Sequence, residues 1–450
     1  MGSVTAGRGE AALAAELSAR LEGEVIGPGD PAYDQRRRIG NARVDARPRA
    51  IARCASRDDV IAALAIGTDC ELPIAVRSGG TSDAATVDGG IVIDVSALKA
   101  VDVDPASRTV SVAPGVTWAE LDEATQEHGL AVTGARLSRL GVAGVALADG
   151  SGWLERALGP TGASLVGAEI VLADGRVVEA NDEGDADLLW ALRGAGSQLG
   201  VVTRVDLRLH AVGPTLLAGF LSFPRDRAVE VVTAYRDYMQ QAPDEVGGGV
   251  LLGAGLGGVC TIVFSYLGTL EAGEEAVAEL RELGPSLDAV APNPYRALQR
   301  VWDDGNPAGT RAYVRGAFLG RLSDACLEAA VARADMPAAS LSYVFLQPLG
   351  GALARRRGDE MALRVPDASW AYHCVGLWPP VASLDDGQLA WVDGFADALG
   401  PDALDAAYPS LIGRSAGAAE LVATYGGDGY ERLRRLRRRY DPGDVFGPRG

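Results

Sequence analysis

The sequence predicts an α+β protein of two domains, and three observations carry that prediction. The chain has 450 residues, which is longer than a single hydrophobic core usually grows. Short apolar runs bounded by turn residues recur and are typical of antiparallel strands, and amphipathic helical stretches lie between them. The texture of the chain also changes near His210–Pro214. We therefore expect a domain boundary there.

The composition argues for a compact protein that acts on a small molecule. Hydrophobic residues make up 48% of the chain and the formal net charge is −18, which disfavours nucleic acid and anionic membranes as partners. No apolar run reaches the ~20 residues that span a bilayer, and the N-terminus lacks the apolar core of a signal peptide. The five cysteines are scattered, so neither disulfides nor a metal site is expected. We expect a cytoplasmic protein and leave its oligomeric state open.

Local patterns predict the elements of the first half. Residues 10–24 have helical spacing. The runs AIARCAS, SRDDVIAAL and PIAVRSGG predict a strand, a helix with a Ser cap, and a strand that ends in a glycine turn. GGIVIDVSAL and RTVSVAPG are expected to pair as a hairpin around 105–107. TWAELDEATQEHG and DADLLWALRGAG predict helices, SLVGAEIVLADGRVVEA predicts a hairpin, and GVVTRVDLRLHAV predicts a strand.

The second half predicts an antiparallel sheet backed by helices. Strand-like runs are LLAGFLSF, VGGGVLLGAG, VCTIVFSYL, SYVFLQPLGG and SWAYHCVGLW. Helix-like runs are RAVEVVTAYRDYMQQA, AGEEAVAELRELG and LAWVDGFADALG. A further helix, GYERLRRLRRRYDP, closes the chain.

Two glycine-rich loops are candidate phosphate cradles. One is Ile74–Ser82, where an apolar strand runs into a glycine pair, and the other is Gly141–Leu154. Backbone that approaches a phosphate closely favours glycine, because a Cβ atom would block the approach. The glycines concerned are Gly79, Gly80, Gly141, Gly144, Gly150 and Gly152.

Four segments occur in a characteristic order: VRSGGTS through DGGIVIDVSAL, LGVAGVALADGSGWLERALGPTGASLVGAEIVLADGRVVEA, DLLWALRGAGSQLGVVTRVDLRLHAV, and YGGDGYERLRRLRRRYDPGDVF. Together they resemble the FAD-linked oxidases of the berberine-bridge-enzyme-like branch of the vanillyl-alcohol oxidase superfamily. The resemblance implies a PCMH-type FAD-binding fold. Residues 1–210 plus 415–450 would form the FAD-binding domain, and residues 211–414 the substrate domain, whose sheet would cover the isoalloxazine ring.

The resemblance also implies a set of FAD-binding residues, and this sequence departs from it. The carried-over residues are Arg77, Ser78, Gly79, Gly80, Thr81, Ser82, Gly141, Gly144, Gly150, Gly152, Gly200 and Val202. Thr81 stands where the family has a histidine bonded to the flavin, and Leu137 stands where many members have a cysteine with a second bond. Neither side chain can form these bonds.

Further departures fall on the same ligand. They are Asp83 in the first loop, Ala148-Asp149-Gly150 in place of three glycines, Ser197-Gln198-Leu199, Gly429 in place of an asparagine, and Tyr408-Pro409-Ser410. Because all of them concern FAD while the fold motifs are kept, we predict that FAD binding is lost or much weakened. The alternative is that FAD is bound noncovalently.

The residues proposed for catalysis are His373, Tyr408 and Tyr343. An imidazole can act as acid or base near neutral pH, and a tyrosine can polarise a carbonyl. Strand alternation puts Trp370, Tyr372 and Cys374 on one face and His373 on the other. The first hypothesis is a natural-product enzyme, acting on a polyketide, that catalyses a non-redox cyclisation without flavin. The alternatives are an FAD-dependent oxidoreductase of the same kind of metabolite and a metabolite-binding protein without activity.

Overall fold

The computed structural model contains both helices and strands, which confirms the prediction of an α+β protein. The structure describes residues 9–148, 150–253, 259–334, 341–355, 360–364, 366–406, 408 and 417–447. The helices are α1 Glu10–Arg20, α2 Tyr33–Arg36, α3 Arg57–Asp69, α4 Trp118–Gln126, α5 Val142–Ala146, α6 Glu155–Leu158, α7 Ala186–Ala195, α8 Ala228–Met239, α9 Leu270–Glu282, α10 Tyr295–Leu298, α11 Asp324–Arg333, α12 Gly351–Ala354, α13 Asp385–Leu399, α14 Ala418–Tyr425 and α15 Gly427–Tyr440. The strands are β1 Glu24–Ile26, β2 Ala50–Arg53, β3 Ile74–Arg77, β4 Ile91–Asp94, β5 Val101–Asp104, β6 Thr109–Val112, β7 Leu130–Ala131, β8 Leu165–Val171, β9 Val177–Asn181, β10 Val201–Arg208, β11 His210–Ala211, β12 Thr215–Pro224, β13 Val246–Gly253, β14 Val259–Tyr266, β15 Leu287–Asp288, β16 Ala291–Pro294, β17 Arg311–Leu319, β18 Tyr343–Pro348 and β19 Trp370–Trp378.

The first sheet positions the first glycine loop. Its order is β1-β2-β4-β3, and β4 runs parallel to both β2 and β3. Leu17 of α1 and Val60 of α3 pack with Ile93 in the core of this layer. The hydroxyl of Ser56 accepts a hydrogen bond from the backbone N–H of Asp59 at 3.1 Å, as its predicted capping role requires. The loop after β3 therefore emerges at the carboxyl edge of parallel strands, where ligands of such sheets bind.

The predicted hairpin around residues 105–107 exists, but its first strand was assigned wrongly. The partner of β6 is β5, with Val103 opposite Val110, whereas GGIVIDVSAL supplies β4 of the first sheet. The burial of the two strands gives the reason. All of β4 is buried, as a central parallel strand requires, whereas β5 alternates between partly buried and exposed residues.

The second sheet carries the C-terminal helix. Its order is β5-β6-β10-β8-β9, and the predicted β8–β9 hairpin is confirmed. Leu433 and Leu436 of α15 lie in the same core as Leu188 of α7. The guanidinium of Arg432 lies 4.0 Å from the centre of the Trp190 ring. Helix α15 therefore packs with the first half of the chain. The domain boundaries themselves remain predictions.

A large antiparallel sheet forms most of the second half. Its order is β15-β12-β14-β13-β18-β19-β17, with β16 beside β12. One face packs against α8, α9, α11 and α13. Trp370, Tyr372 and Cys374 belong to that core, which confirms the predicted alternation along β19. The opposite face, with Phe345, packs against Trp153 of the first half of the chain. Among the described residues, no helix has the length and apolarity that crossing a membrane needs.

Arg156 of α6 joins the two halves. Its side chain is buried, and its guanidinium donates hydrogen bonds to the backbone carbonyls of Val246 at 2.9 Å, Leu349 at 2.6 Å and Ala242 at 3.3 Å. Burial lowers the pKa of Arg156 from its usual value, yet a guanidinium stays charged in proteins. A buried charge with these acceptors fixes α6 against the ends of β13 and β18.

We expect Arg156→Met to destabilise the protein strongly. The substitution removes charge-assisted hydrogen bonds and leaves buried carbonyls without donors, which predicts a loss of about 3 kcal/mol in the free energy of unfolding. Urea denaturation measures it. Arg176→Met, in the exposed turn between β8 and β9, is the matched control, with an expected change within about 0.5 kcal/mol. Equal losses of unfolding free energy in both variants would show that the buried contacts of Arg156 do not hold the two halves together.

Candidate active site

The glycines of the first loop are needed for contacts between backbones. A Cβ on Gly79 would lie 2.7 Å from the backbone nitrogen of Gly141, and Gly80 has a φ of +66°. The carbonyl of Gly80 accepts a hydrogen bond from the N–H of Gly40 at 2.8 Å. Ser82 turns back on the loop, where its hydroxyl accepts from the N–H of Ala84 at 3.2 Å. The loop is thus fixed by its neighbours on two sides.

In the second loop, the backbone requires glycine at two positions but not at a third. Gly150 has a φ of +64°, and a Cβ on Gly152 would lie 1.9 Å from the carbonyl oxygen of Gly134. Gly144 is exposed, and nothing lies within 4 Å of an added Cβ. Asp149, Pro409 and Ser410 lie outside the described residues.

Gly200 and Val202 contribute to the packing and strand pairing of the second sheet. A Cβ on Gly200 would lie 2.5 Å from the carbonyl oxygen of Val171, and buried Val202 pairs with Ile170 of β8. Neither residue borders the cavity at the first loop.

A cavity of about 320 Å³ opens beside the first glycine loop. Its wall consists of residues 38–40 and 77–81 together with Ser96, Arg139 and Ala308. Neither Arg38 nor Arg139 forms an ion pair with any residue that the structure describes. Guanidinium groups beside closely packed glycine backbone form a donor-rich wall, which suits a phosphate or diphosphate.

Two other charged residues of this region have protein partners. Arg77 is buried and donates to the carbonyls of Ala85 at 3.2 Å and Arg36 at 2.6 Å, so it holds the loop in place. The carboxylate of Asp83, which departs from the family pattern in the first loop, accepts a hydrogen bond from the Asn41 amide at 3.0 Å.

A polar network lies between the first half of the chain and the large sheet. The Gln347 amide, on β18, donates to the carboxylate of Glu155 and to the hydroxyl of Ser151, the latter at 3.1 Å. Glu155 also lies 3.5 Å from a guanidinium nitrogen of Arg136. The imidazole Nε2 of His373 lies 3.3 Å from Oε1 of Gln347. These contacts connect both domains through one amide.

The structure brings together two of the three predicted catalytic residues. The rings of His373 and Tyr408 have centres 4.9 Å apart, and Tyr408 stacks on Phe318 at 4.3 Å. Tyr343 lies elsewhere on the same sheet face, where its hydroxyl donates to Asn306 at 3.1 Å. Burial, with the nearby charge of Arg136, lowers the pKa of His373 to about 3. Its imidazole is therefore neutral at physiological pH.

Sequence reasoning missed Arg136, Glu155 and Gln347. Gln347 follows Tyr343 by four positions on a strand, so alternation alone places both on one face. No pattern reveals that this amide meets Glu155, since 192 positions separate the two.

The comparisons with known proteins agree with this architecture. A family model described as an FAD binding domain matches residues 48–181. An FAD-linked oxidoreductase of Dictyostelium discoideum is 31% identical over 308 residues, which cover 68% of this chain and 67% of that protein. The chain belongs to the family of FAD-linked oxidoreductases. The (R)-6-hydroxynicotine oxidase of Paenarthrobacter nicotinovorans is 29% identical over 96% of this chain and 97% of its own length.

The fold of this family member is that of the berberine-bridge enzymes. A solved structure of a berberine bridge enzyme variant, described as a reticuline dehydrogenase, superposes with a TM-score of 0.87 over 97% of both chains at 19% identity. At that identity the similarity concerns the fold alone. The expected PCMH-type fold with an antiparallel substrate-side sheet is confirmed.

The residues at the first glycine loop fit the diphosphate of FAD. The cavity there is bordered by bare backbone at Gly79 and Gly80 and by two arginines without ionic partners in the described chain. Thr81 lies in its wall and offers no imidazole, so this family member has no histidine there to bond FAD. The family relation does not support the expected absence of a cofactor; it favours FAD.

A buried carboxyl marks another contact between the domains. Asp122 of α4 is 2% exposed and accepts a hydrogen bond from the Gln299 amide at 3.2 Å. Burial raises the pKa of Asp122 to about 7, against weaker opposing effects of Gln299, Arg300 and Arg296. The folded protein therefore holds a proton that the unfolded chain releases near its usual pKa of 3.8.

We expect this carboxyl to make stability fall as the pH rises. The pKa of Asp122 is higher in the folded protein than in the unfolded chain. The free energy of unfolding therefore begins to fall as the pH rises above 3.8, and the decrease is complete above about pH 7. Asp122→Asn should flatten the dependence of the unfolding free energy on pH, because it keeps the shape without the charge. Thermal unfolding over that pH range measures it. If the variant retains the slope of the parent protein, Asp122 is not its source.

Proposed function

We propose that the protein is an FAD-dependent oxidoreductase that holds FAD noncovalently and oxidises a small secondary metabolite in the cleft between its domains. The observation that carries the proposal is the cavity at the first glycine loop, with Arg38 and Arg139 in its wall. The relative that covers almost the whole chain is named for 6-hydroxynicotine, which supports a secondary metabolite as the substrate.

The roles of the chain's own residues follow from their contacts. Arg38 and Arg139 would neutralise the diphosphate, and the backbone at Gly79 and Gly80 would lie against it. Bound FAD supplies the acceptor for a hydride. His373 stays neutral, so at Nε2 it can accept or donate a hydrogen bond without adding a positive charge to the cleft.

The inner cleft is tightly packed. A cavity of about 10 Å³ remains beside Ser151, Glu155 and Tyr408, which is room for about one water molecule. Polar interactions are stronger in such surroundings than in solvent. A substrate must therefore displace side chains as it enters.

The first test is the visible spectrum of the purified protein. We expect flavin absorbance, with all of the FAD released into the supernatant after denaturation, because no covalent bond holds it. Arg139→Gln should weaken FAD binding about tenfold through loss of a charge-assisted contact to the diphosphate. Titration of the stripped protein with FAD measures this. Arg435→Gln, on the exposed face of α15, is the control and should bind like the parent. Protein that is colourless and takes up no FAD would refute the proposal.

A second candidate is the flavin-independent cyclisation. The closed cleft around His373 and Tyr408 favours it, because confinement and hydrogen bonding are what an intramolecular ring closure needs. Here His373→Ala and Tyr408→Phe should each slow turnover of FAD-free protein about a hundredfold, measured as product formed per enzyme, with both variants still folded. Activity that requires added FAD would exclude this candidate.

A further inference from the structure

Asp83 is a departure from the family pattern that the proposed binding of FAD leaves unexplained. It begins the short turn Asp83–Ala85, two positions after Thr81 in the wall of the cavity, and it is exposed. A carboxylate so near a bound diphosphate would be repelled by it. In the structure, Oδ1 of Asp83 accepts a hydrogen bond from the side-chain amide of Asn41 at 3.0 Å. The role of Asp83 therefore depends on what else Asn41 contacts.

The Asn41 side chain connects this carboxylate to the large sheet. Its Nδ2 also donates to the carbonyl of Ala312 at 3.1 Å, and its Oδ1 accepts from the backbone N–H groups of Ala312 at 2.9 Å and Arg43 at 3.0 Å. Two of its neighbouring groups can only accept and two can only donate, which fixes the orientation of the amide. Ala312 lies on β17, the last strand in the order of the sheet. One amide thus binds both backbone groups of an edge-strand residue.

Backbone contacts on either side of Asn41 reach the same two neighbours. The N–H of Gly40 donates to the carbonyl of Gly80 in the first glycine loop at 2.8 Å. The N–H of Ala42 donates to the carbonyl of Thr310, the residue before β17, also at 2.8 Å. This short segment therefore lies between the glycine loop and the edge of the large sheet, and bonds to both.

The three segments that meet at Asn41 also border the cavity at the first glycine loop. Arg38 lies three positions before Asn41, residues 77–81 form the loop, and Ala308 precedes β17. Neither Asn41 nor Asp83 is among the described residues of the cavity wall. They support the wall from outside it, so the relative positions of its parts depend on their contacts.

We propose that Asn41 and Asp83 are positioning residues for FAD. Together they hold Arg38 and the glycine loop in the arrangement that receives the diphosphate. A preformed site loses less conformational freedom when its ligand binds, so the pair raises the affinity for FAD without touching it. This contribution exceeds the repulsion between the Asp83 carboxylate and the diphosphate. The inference rests on the proposed function, because it concerns the site of the same cofactor.

The direction of the Asp83 effect is the first test. FAD is titrated into flavin-stripped full-length protein, and binding is followed by flavin fluorescence. Asp83→Ala should weaken FAD binding about threefold, because the Asn41 amide loses an acceptor. If Asp83 acted through its charge alone, the same substitution would strengthen binding, since it removes a repulsive carboxylate. Asp83→Asn keeps an acceptor oxygen without the charge and should bind FAD at least as tightly as the parent.

Variants of Asn41 separate positioning from a loss of stability. Asn41→Ala should weaken FAD binding about tenfold, and Arg38→Gln should have a smaller effect in that variant than in the parent, because Arg38 is no longer held in place. Asn293→Ala is the matched control. Its amide donates to the carbonyl of Ala218 at 2.8 Å on the opposite edge of the same sheet, and the variant should bind FAD like the parent.

A rescue variant covers the case in which Asn41→Ala does not fold. Asn41→Asp places two carboxylates against each other and should weaken FAD binding. Adding Asp83→Asn restores one donor and one acceptor to the pair and should recover most of the lost affinity.

Hydrogen exchange gives a readout that needs no flavin. Amides of residues 78–82 and 309–312 should exchange faster in Asn41→Ala than in the parent or in Asn293→Ala. Unchanged exchange in these segments, tighter FAD binding by Asp83→Ala, or equal FAD binding by Asn41→Ala and the parent would each overturn the inference and leave the proposed function standing. A parent protein that takes up no FAD would refute the proposed function and this role together.

Discussion

The architecture depends on one buried cation that joins the first half of the chain to the large sheet. Arg156 lies on a single-turn helix, yet its guanidinium reaches backbone carbonyls at the ends of two strands of the large sheet. A charge in this position is tolerated only because carbonyl dipoles surround it. The contact fixes the distance between α6 and the sheet, and with it the position of Glu155, the neighbouring residue. The polar network of the cleft therefore depends on a contact that takes no part in chemistry.

That constraint explains why the cleft is narrow and why its polar groups are shared between domains. Gln347 comes from the sheet and meets Ser151 and Glu155 of the first domain. Trp302, on a segment of the second half, meets Trp153 in the same way. Each of these groups finds its partner across the contact between the large sheet and the first half of the chain.

Short-range features of the fold could be predicted from the sequence, and long-range pairings could not. The cap at Ser56, the β8–β9 hairpin and the alternation along β19 depend on neighbouring residues and are confirmed. The predicted pairing of β4 was wrong. A hairpin turn fitted the local sequence pattern, but β4 is buried on both faces and pairs in a parallel sheet. In the site, the chemistry of their side chains was enough to select His373 and Tyr408 from the sequence. Gln347 is recognised only in the folded structure, because its partner Glu155 is distant along the chain.

The glycines of the two loops are weaker evidence about FAD than they are about the fold. Gly79 and Gly152 are required where backbone meets backbone, so they would be kept whether or not a cofactor binds. Arginine gives a different argument. A guanidinium at a cavity wall without an ionic partner in the described chain, as at Arg38 and Arg139, adds nothing to the fold that a neutral side chain could not. The proposed diphosphate ligand would give that charge a partner. Without a covalent bond at Thr81, such contacts would be what holds the cofactor.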